Sequence, residues 1–293
     1  MSYIECSGIK YKEPKVVLMQ QNGLGVAEMA GRSAYDSFDK SENDNVKELN
    51  GLMCLDDVDD MVLNRTIKGV NDIESSKLLD DLSWTYFHHS VIEHSVLSYI
   101  VRDTSRGCLH EHARHRIQSL TVRSTRYTMG PVINAFLAVL GTTTPMDNFR
   151  DLLRNINFLV TIDSDYNEIE YDTVYNKLKL QYNRIGRDEF IKISTTKDMR
   201  TNGSFDIIDY NDRYVALCGS TQKRNVGDAF KHIVTDNWKV DMVVTFNLRS
   251  LRNYFELRDS GSAYFHIREL AKAMKLATPV KYLKLIDKEY RGK

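Results

Sequence analysis

Between His112 and Met146 the chain carries no Asp and no Glu, although acids and bases balance at 40 against 40 over its whole length. Arg114, Arg116, Arg123 and Arg126 crowd the first part of that stretch. The fold therefore has to place a concentrated positive charge rather than a dispersed one. His115 stands between two of the arginines, and Ser119, Thr121, Ser124 and Thr125 add hydroxyls. Guanidinium forks with hydroxyls beside them suit phosphate oxygens, because Arg offers two parallel charge-assisted hydrogen bonds and Ser or Thr a third. A solvated basic face or a nucleic-acid patch is the competing reading.

Composition narrows the choice. A chain of 293 residues that is 42% hydrophobic, with 4 prolines, buries a substantial core and reads as a soluble protein. Zero formal net charge argues against wholesale nucleic-acid binding, which draws on a basic excess across a face. Cys6, Cys54, Cys108 and Cys218 are widely spaced, as expected of reduced thiols rather than metal ligands. No apolar run approaches the roughly 18 residues of a membrane span, and MSYIECSGIKYKEPK lacks the apolar centre of a signal peptide. The expectation is a cytoplasmic protein with neither membrane nor nucleic acid as partner.

Periodicity supplies the elements. Val16–Met19 reads as a strand, and Val26–Ser37 as a helix with Val26, Met29, Ala30 and Ala34 at helical spacing. Residues 36–45 read as a loop, 46–72 as helical pieces and Glu74–Phe87 as an amphipathic helix. His88, His89, Glu93 and His94 then crowd into seven residues. A His-x-x-Glu-His metal site needs an uninterrupted helix and further ligands, but this segment runs into the strand-like Ser95–Val101, so no metal is expected. Thr104–His112 reads as a helix with Thr104 or Ser105 as its N-cap, and Gly130-Pro131 as a closing turn. Val132–Leu140 reads as a core helix, Asp147–Phe158 as another, Lys192–Asn211 as turns and Gly227–Val234 as helical. A strand over Trp238–Phe246 leads into a helix from Asn247 to Arg258, with Leu248, Leu251 and Phe255 facing the core. Asn247, Ser250, Tyr254 and Arg258 share its neighbouring face, with Asn253 beside them, along about 16 Å of helix. A last helix, Ala263–Lys275, precedes Pro279 and a basic tail.

Arg114-His115-Arg116, seven further residues, Ser124 and then Arg126-Tyr127 resemble the signature of the flavin-dependent thymidylate synthases, the ThyX family. Asn247, Asn253 and Arg258 resemble that family's second motif, and His88–His94 the loop before its first. The resemblance covers about 16–132 and 227–277. It implies a mixed α/β fold, an antiparallel-rich central sheet with flanking helices, as a single catalytic domain over 1–293 with an insertion of surface strands and loops within 140–225.

The resemblance also implies the chemistry. FAD is the cofactor, NADPH and methylenetetrahydrofolate are co-substrates, and dUMP is methylated to dTMP in a homotetramer whose sites form between subunits. Ser90, Arg114, His115, Arg116, Ile117, Asn247, Arg249 and Asn253 would meet FAD. Glu111, Arg114, Arg123, Ser124, Thr125, Arg126, Lys231 and Arg258 would meet the nucleotide, Arg258 as the catalytic cation. His88 would stack on the folate or gate its entry. The alternative route uses an attacking cysteine, and none of the four clearly has a thiolate-stabilising neighbourhood. Glu111 replaces a usual glutamine, Thr121 a usual asparagine, Val122 a usual acidic or amide residue, and Lys231 a common arginine. These departures lie on the nucleotide side and keep a second reading open, in which another pyrimidine nucleotide is methylated or hydroxymethylated, with Glu111 accepting from an exocyclic amine.

Overall fold

A computed structural model describes residues 2–195, 210–218 and 226–291. Strands β1 (Tyr3–Cys6) and β2 (Ile9–Lys12) form an antiparallel hairpin, turning through Ser7 and Gly8 at φ of 52° and 82°. Positive φ at both turn residues is what a tight hairpin turn requires.

A second sheet has four strands, β3 (Lys15–Gln21), β4 (Val96–Ser105), β5 (Ser119–Val122) and β6 (Lys239–Asn247), in the order β3-β4-β6-β5. β3 and β4 are antiparallel, with Val16 opposite Val101 and a register shift between Leu18 and Gln20. Between β4 and β6, the Ser98 hydroxyl lies 2.8 Å from that of Thr245, and the Asp103 N–H donates to Asp241 at 3.2 Å. Those pairings run in opposite directions along the two strands, as antiparallel neighbours do. Leu97, Tyr99 and Val101 alternate with less buried residues on β4, as do Val240, Met242, Val244 and Phe246 on β6, so one face is core. Away from that face, Val17, Met19 and Val243 stay 57%, 59% and 44% exposed. The mixed α/β class with an antiparallel sheet is as expected.

The described residues fall into two compact units. One comprises the chain up to Glu13, Ser105–Gly107 and Val122–Val240. Its core is aromatic, with Phe136 against Phe149 and Phe190 against Phe230 at ring separations of 6.3 and 5.2 Å. The interval 140–225 lies inside it, and its described part is helical: Pro145–Ile156, Ser164–Ile185, Arg187–Ser194 and Tyr210–Cys218. The expectation of surface strands and loops there is corrected. The long helix was hard to read because Tyr171, Val174, Tyr175 and Leu178 form one narrow buried stripe on an otherwise polar cylinder. Of the turns expected over Lys192–Asn211, residues 196–209 lie outside the described residues.

The other unit comprises Pro14–Thr104, Cys108–Thr121 and Asp241–Lys293. Helices Gly25–Ala34, Asp44–Leu52, Asp60–Asn71 and Lys77–Trp84 precede β4, and helix Phe265–Ala277 packs on β3 and on helix Leu248–Arg258. Several boundaries differ from expectation. Thr104 and Ser105 end β4 instead of capping a helix, which begins at Arg106. Gly130-Pro131 opens helix Gly130–Val139, where proline's missing N–H costs nothing. Helix Gly25–Ala34 buries Ala27, Glu28, Gly31 and Arg32, while Val26 is 38% exposed. Its buried side is polar because the Glu28 carboxylate accepts from Ser41 Oγ at 2.7 Å and Asn43 Nδ2 at 2.6 Å. After Pro279 the chain forms helix Val280–Ile286 where a basic tail was expected. Among the described residues no helix is long and apolar enough to cross a membrane.

Candidate active site

Asn247 ends β6 and caps the next helix, its Oδ1 accepting from the Ser250 N–H at 2.8 Å. Strand and helix thus join without a loop, which fixes the azimuth of every later side chain. Leu248, Leu251 and Phe255 are buried as the period requires. Tyr254 is buried with them and is not part of a ligand-facing row, a correction explained by its hydroxyl lying 3.1 Å from His112 Nδ1.

Helix Arg106–His112 is followed by a turn in which the His115 N–H donates to the His112 carbonyl at 3.2 Å. Gln118 closes it, its Nε2 donating to the carbonyls of His112 and His115 at 3.1 and 2.8 Å. The turn presents Arg114, His115, Arg116 and Ile117 to a cleft of about 670 Å³. Arg249, Ser250, Asn253 and Arg258 line the same cleft from the helix. Glu93 of the His88–His94 loop completes it together with Phe246 and Leu257, the last two unanticipated from sequence.

Arg258 is held on three of its N–H groups. Nε donates to His115 Nε2 at 2.8 Å, and the two terminal nitrogens to Glu111 Oε2 at 2.8 Å and the Glu111 carbonyl at 3.1 Å. A guanidinium has five such donors. The side chain is only 15% exposed. Burial pushes the Glu111 carboxyl up, but the Arg258 hydrogen bond and the charges of Arg114 and Arg258 outweigh it and hold it below the carboxylate range. Burial, then the charges of Arg258 and Arg114, bring His115 down to about 4 against the opposing pull of Glu111. His115 is therefore neutral near pH 7, so its Nε2 can accept from Arg258. Glu111 lies between two arginines, with Arg114 at 3.3 Å.

A smaller cleft of about 310 Å³ lies along Ala34, Tyr35, Phe87–Val91 and Arg249. Ser90 and His88 are here rather than in the larger cleft, and Arg249 lines both. The Tyr35 hydroxyl is 2.7 Å from His88 Nδ1. His89 Nε2 faces Arg252 at 3.0 Å, so the neighbouring histidines turn to different partners. Phe87 sits at φ 56° with its ring 61% exposed, a backbone state that bulky residues seldom adopt.

The remaining expected nucleotide contacts form their own group in the other unit. Ser124 caps the short helix Thr125–Thr128, its Oγ accepting from the Arg126 N–H at 3.3 Å. Arg126 pairs with Asp228 at 2.7 Å, and that aspartate sits on helix Val226–Phe230, just before the exposed Lys231. Gly227 makes the approach possible, since a Cβ there would stand 2.2 Å from the Arg126 Cα. Thr125 is buried and Arg123 exposed. Cys108 is fully buried, which pushes its thiol up and keeps it protonated.

The profile of the Thymidylate synthase complementing protein family matches residues 15–278. The chain belongs to that family. Flavin-dependent thymidylate synthase of Wolinella succinogenes is 26% identical over 278 residues, 94% of this chain and 98% of that protein. The Helicobacter pylori protein of the same name is 24% identical over 275 residues, 93% of this chain and 97% of the other. The solved structure of thymidylate synthase X from Helicobacter pylori, with FAD and dUMP, shares the fold at a TM-score of 0.56 and 21% identity, over 95% of this chain and 99% of that one.

In this member of the Thymidylate synthase complementing protein family, the expected residues are brought together unevenly. The large cleft unites Arg114, His115, Arg116, Ile117, Arg249, Asn253 and Arg258, whereas Asn247 acts as the cap beneath them. Tyr35 and Gln118 were missed as parts of the site. Tyr35 gives no local signal, because its partner His88 is 53 residues away.

Proposed function

We propose that this protein is a flavin-dependent thymidylate synthase, methylating dUMP to dTMP with FAD as cofactor and methylenetetrahydrofolate and NADPH as co-substrates. The observation that carries the reading is Arg258, fixed by Glu111 and His115 at the edge of a cleft built from both sequence motifs.

FAD fits the lining of that cleft. Arg114, Arg116 and Arg249 supply cationic donors suited to a pyrophosphate, and Asn253 and Ser250 offer polar contacts. Ile117 and Leu257, 70% and 52% exposed, present apolar surface to a planar ring. When bound, FAD supplies the two-electron chemistry that reduces the transferred carbon to a methyl group. His115, Arg116, Ile117, Arg249 and Asn253 hold it, with Asn247 and Ser90 at the margins.

The chain's own residues act on the nucleotide. C5 of uracil is a weak nucleophile, and electron density must build on the ring for it to attack. Arg258 places a cation where that charge develops, already oriented, so little reorganisation remains at the moment of reaction. Two of its five N–H groups are left for the pyrimidine once three are used by Glu111 and His115. Arg126, Ser124, Lys231 and Arg123 take a 5′-phosphate with the backbone at Thr125, the phosphate replacing Asp228 on Arg126; in the other unit Arg114 and Glu111 contact the nucleotide beside Arg258, each site being completed by another subunit. A protonated Cys108 is no nucleophile, in keeping with a route that makes no covalent bond to cysteine. His88, paired with Tyr35 at the smaller cleft, stacks on or admits the folate.

The working form is a cytoplasmic homotetramer with sites between subunits, a single catalytic chain in which 140–225 is an elaboration. The exposed Val17, Met19 and Val243 on the sheet and four free thiols support that form.

The test is an anaerobic visible spectrum of the purified protein with NADPH, with and without dUMP, followed by addition of methylenetetrahydrofolate and assay of dTMP. An oxidised-flavin spectrum that bleaches faster with dUMP and yields dTMP is expected. A flavin spectrum indifferent to dUMP moves the substrate to another pyrimidine nucleotide, and failure to take up FAD removes the reading.

A further inference from the structure

His112 and Gln118 belong to neither motif's recognised contacts, yet both are placed beneath the cleft with polar atoms that demand partners. His112 is wholly buried, as is Tyr254. Burial keeps the Tyr254 phenol protonated, and its hydroxyl lies 3.1 Å from His112 Nδ1. Two arrangements are conceivable at that contact. If Nδ1 carried the hydrogen, the phenol would accept it and its own proton would be stranded among the rings of Phe246, His115 and Phe255. If the phenol donates, both groups are satisfied there, and the histidine proton sits on Nε2.

Nε2 of His112 is buried and has no partner at hydrogen-bond geometry, and the same is true of Oε1 of Gln118. The amide cannot be turned around, since its Nε2 already donates to two carbonyls and a flip would set oxygen against oxygen. One leftover donor and one leftover acceptor are therefore complementary. They are also neighbours: the Gln118 amide reaches the His112 carbonyl at 3.1 Å, and the same side chain draws the His112 pKa upward against the fall caused by burial.

We propose that His112 and Gln118 are positioning residues for Arg258, joined with Tyr254 in a one-way chain of hydrogen bonds that fixes His115. The chain runs from the Tyr254 hydroxyl to His112, from His112 Nε2–H to Gln118 Oε1, and from Gln118 Nε2–H to the His115 carbonyl. Tyr254 also packs edge-on against the His115 ring at 4.8 Å. Backbone and ring of His115 are thus set from the same buried source, and that ring receives Arg258 Nε. The consequence for the nucleotide rests on the proposed function.

The test measures dUMP affinity in the FAD-loaded protein through the flavin absorbance change. Gln118→Leu is expected to weaken dUMP binding about tenfold, measured at saturating FAD, the loss of roughly one good hydrogen bond. In an Arg258→Ala background the same substitution should change nothing more. Equal losses in both backgrounds, or no loss in the wild type, overturn the proposal. Tyr254→Phe keeps the ring packing and should act in the same direction by about threefold. Spectra of ¹⁵N-labelled histidine give a second readout: His112 should carry its proton on Nε2 in the wild type and divide it between both nitrogens in Tyr254→Phe. A wild-type proton on Nδ1 overturns the chain. Should the wild type bind FAD but not dUMP, the substrate reading fails, and the histidine spectra alone decide this proposal.

Discussion

Arg258 and Arg126 are both paired with a carboxylate, and the pairings are built for opposite ends. Arg258 is 15% exposed and tied to Glu111 and His115 by three hydrogen bonds. Arg126 has a side chain 43% exposed, and its ion pair is with Asp228, itself 51% exposed. A guanidinium held on three sides keeps one orientation, which suits charge that appears only during reaction. An exposed pair is weak in water and exchanges easily, which suits the proposed trade of a carboxylate for a phosphate. A count of arginines therefore says little, and the burial of each ion pair separates a fixed cation from an exchangeable one.

Removing the fixed cation should have the largest effect. Arg258→Ala is expected to lower the rate of dTMP formation by about a thousandfold or more while FAD stays bound, as loss of a preorganised charge does; near-normal turnover would take Arg258 out of the chemistry. Arg126→Ala should weaken dUMP binding by roughly ten- to a hundredfold, the range of a charge-assisted hydrogen bond, with kcat at saturating dUMP nearly unchanged. A fall in kcat instead would make the two arginines equivalent. Asp228→Asn should sharpen the contrast, strengthening dUMP binding by about two- to threefold through loss of a weak surface competitor. Unchanged affinity would mean that Asp228 does not compete.

Acid should act on the fixed site more gradually. His112 and His115 are each brought down to about 4, chiefly by burial, as is His266 beneath β4. These values lie below the roughly 6.5 of an unfolded histidine. Between those limits the unfolded chain binds more protons, so stability is full above about pH 6.5 and falls as pH drops toward about 4. Urea melts at pH 7 and pH 5 check this, and His112→Phe should lessen the difference between them.

The cleft was legible where two things coincided: a periodic apolar stripe to orient a helix and a fixed offset to place its polar residues. Leu248, Leu251 and Phe255 gave the Asn247–Arg258 helix its facing, and Asn253 and Arg258 followed. Tyr254 misled because it belongs to both patterns; an aromatic with a polar tip reads as a contact residue until its partner is known. That partner, His112, lies 142 residues away. The helical middle stayed unread because Tyr175, Leu178, Leu180 and Tyr182 are mixed with Lys177 and Lys179 along Ser164–Ile185, masking a stripe that packing makes plain. Helix Gly25–Ala34 failed differently, since its buried side gathers around the Glu28 carboxylate, and hydrophobic spacing is blind to that.

Gly227 illustrates how a silent position governs a loud one. With the Arg126 backbone 2.2 Å from where its Cβ would be, every other amino acid pushes the arginine off its perch. In a library randomised at this site, only glycine should survive selection for thymidine prototrophy, and alanine should reappear only alongside second-site changes in 124–128. The hydrogen atom at that α-carbon is, in effect, what leaves the Arg126 backbone room to sit where it does.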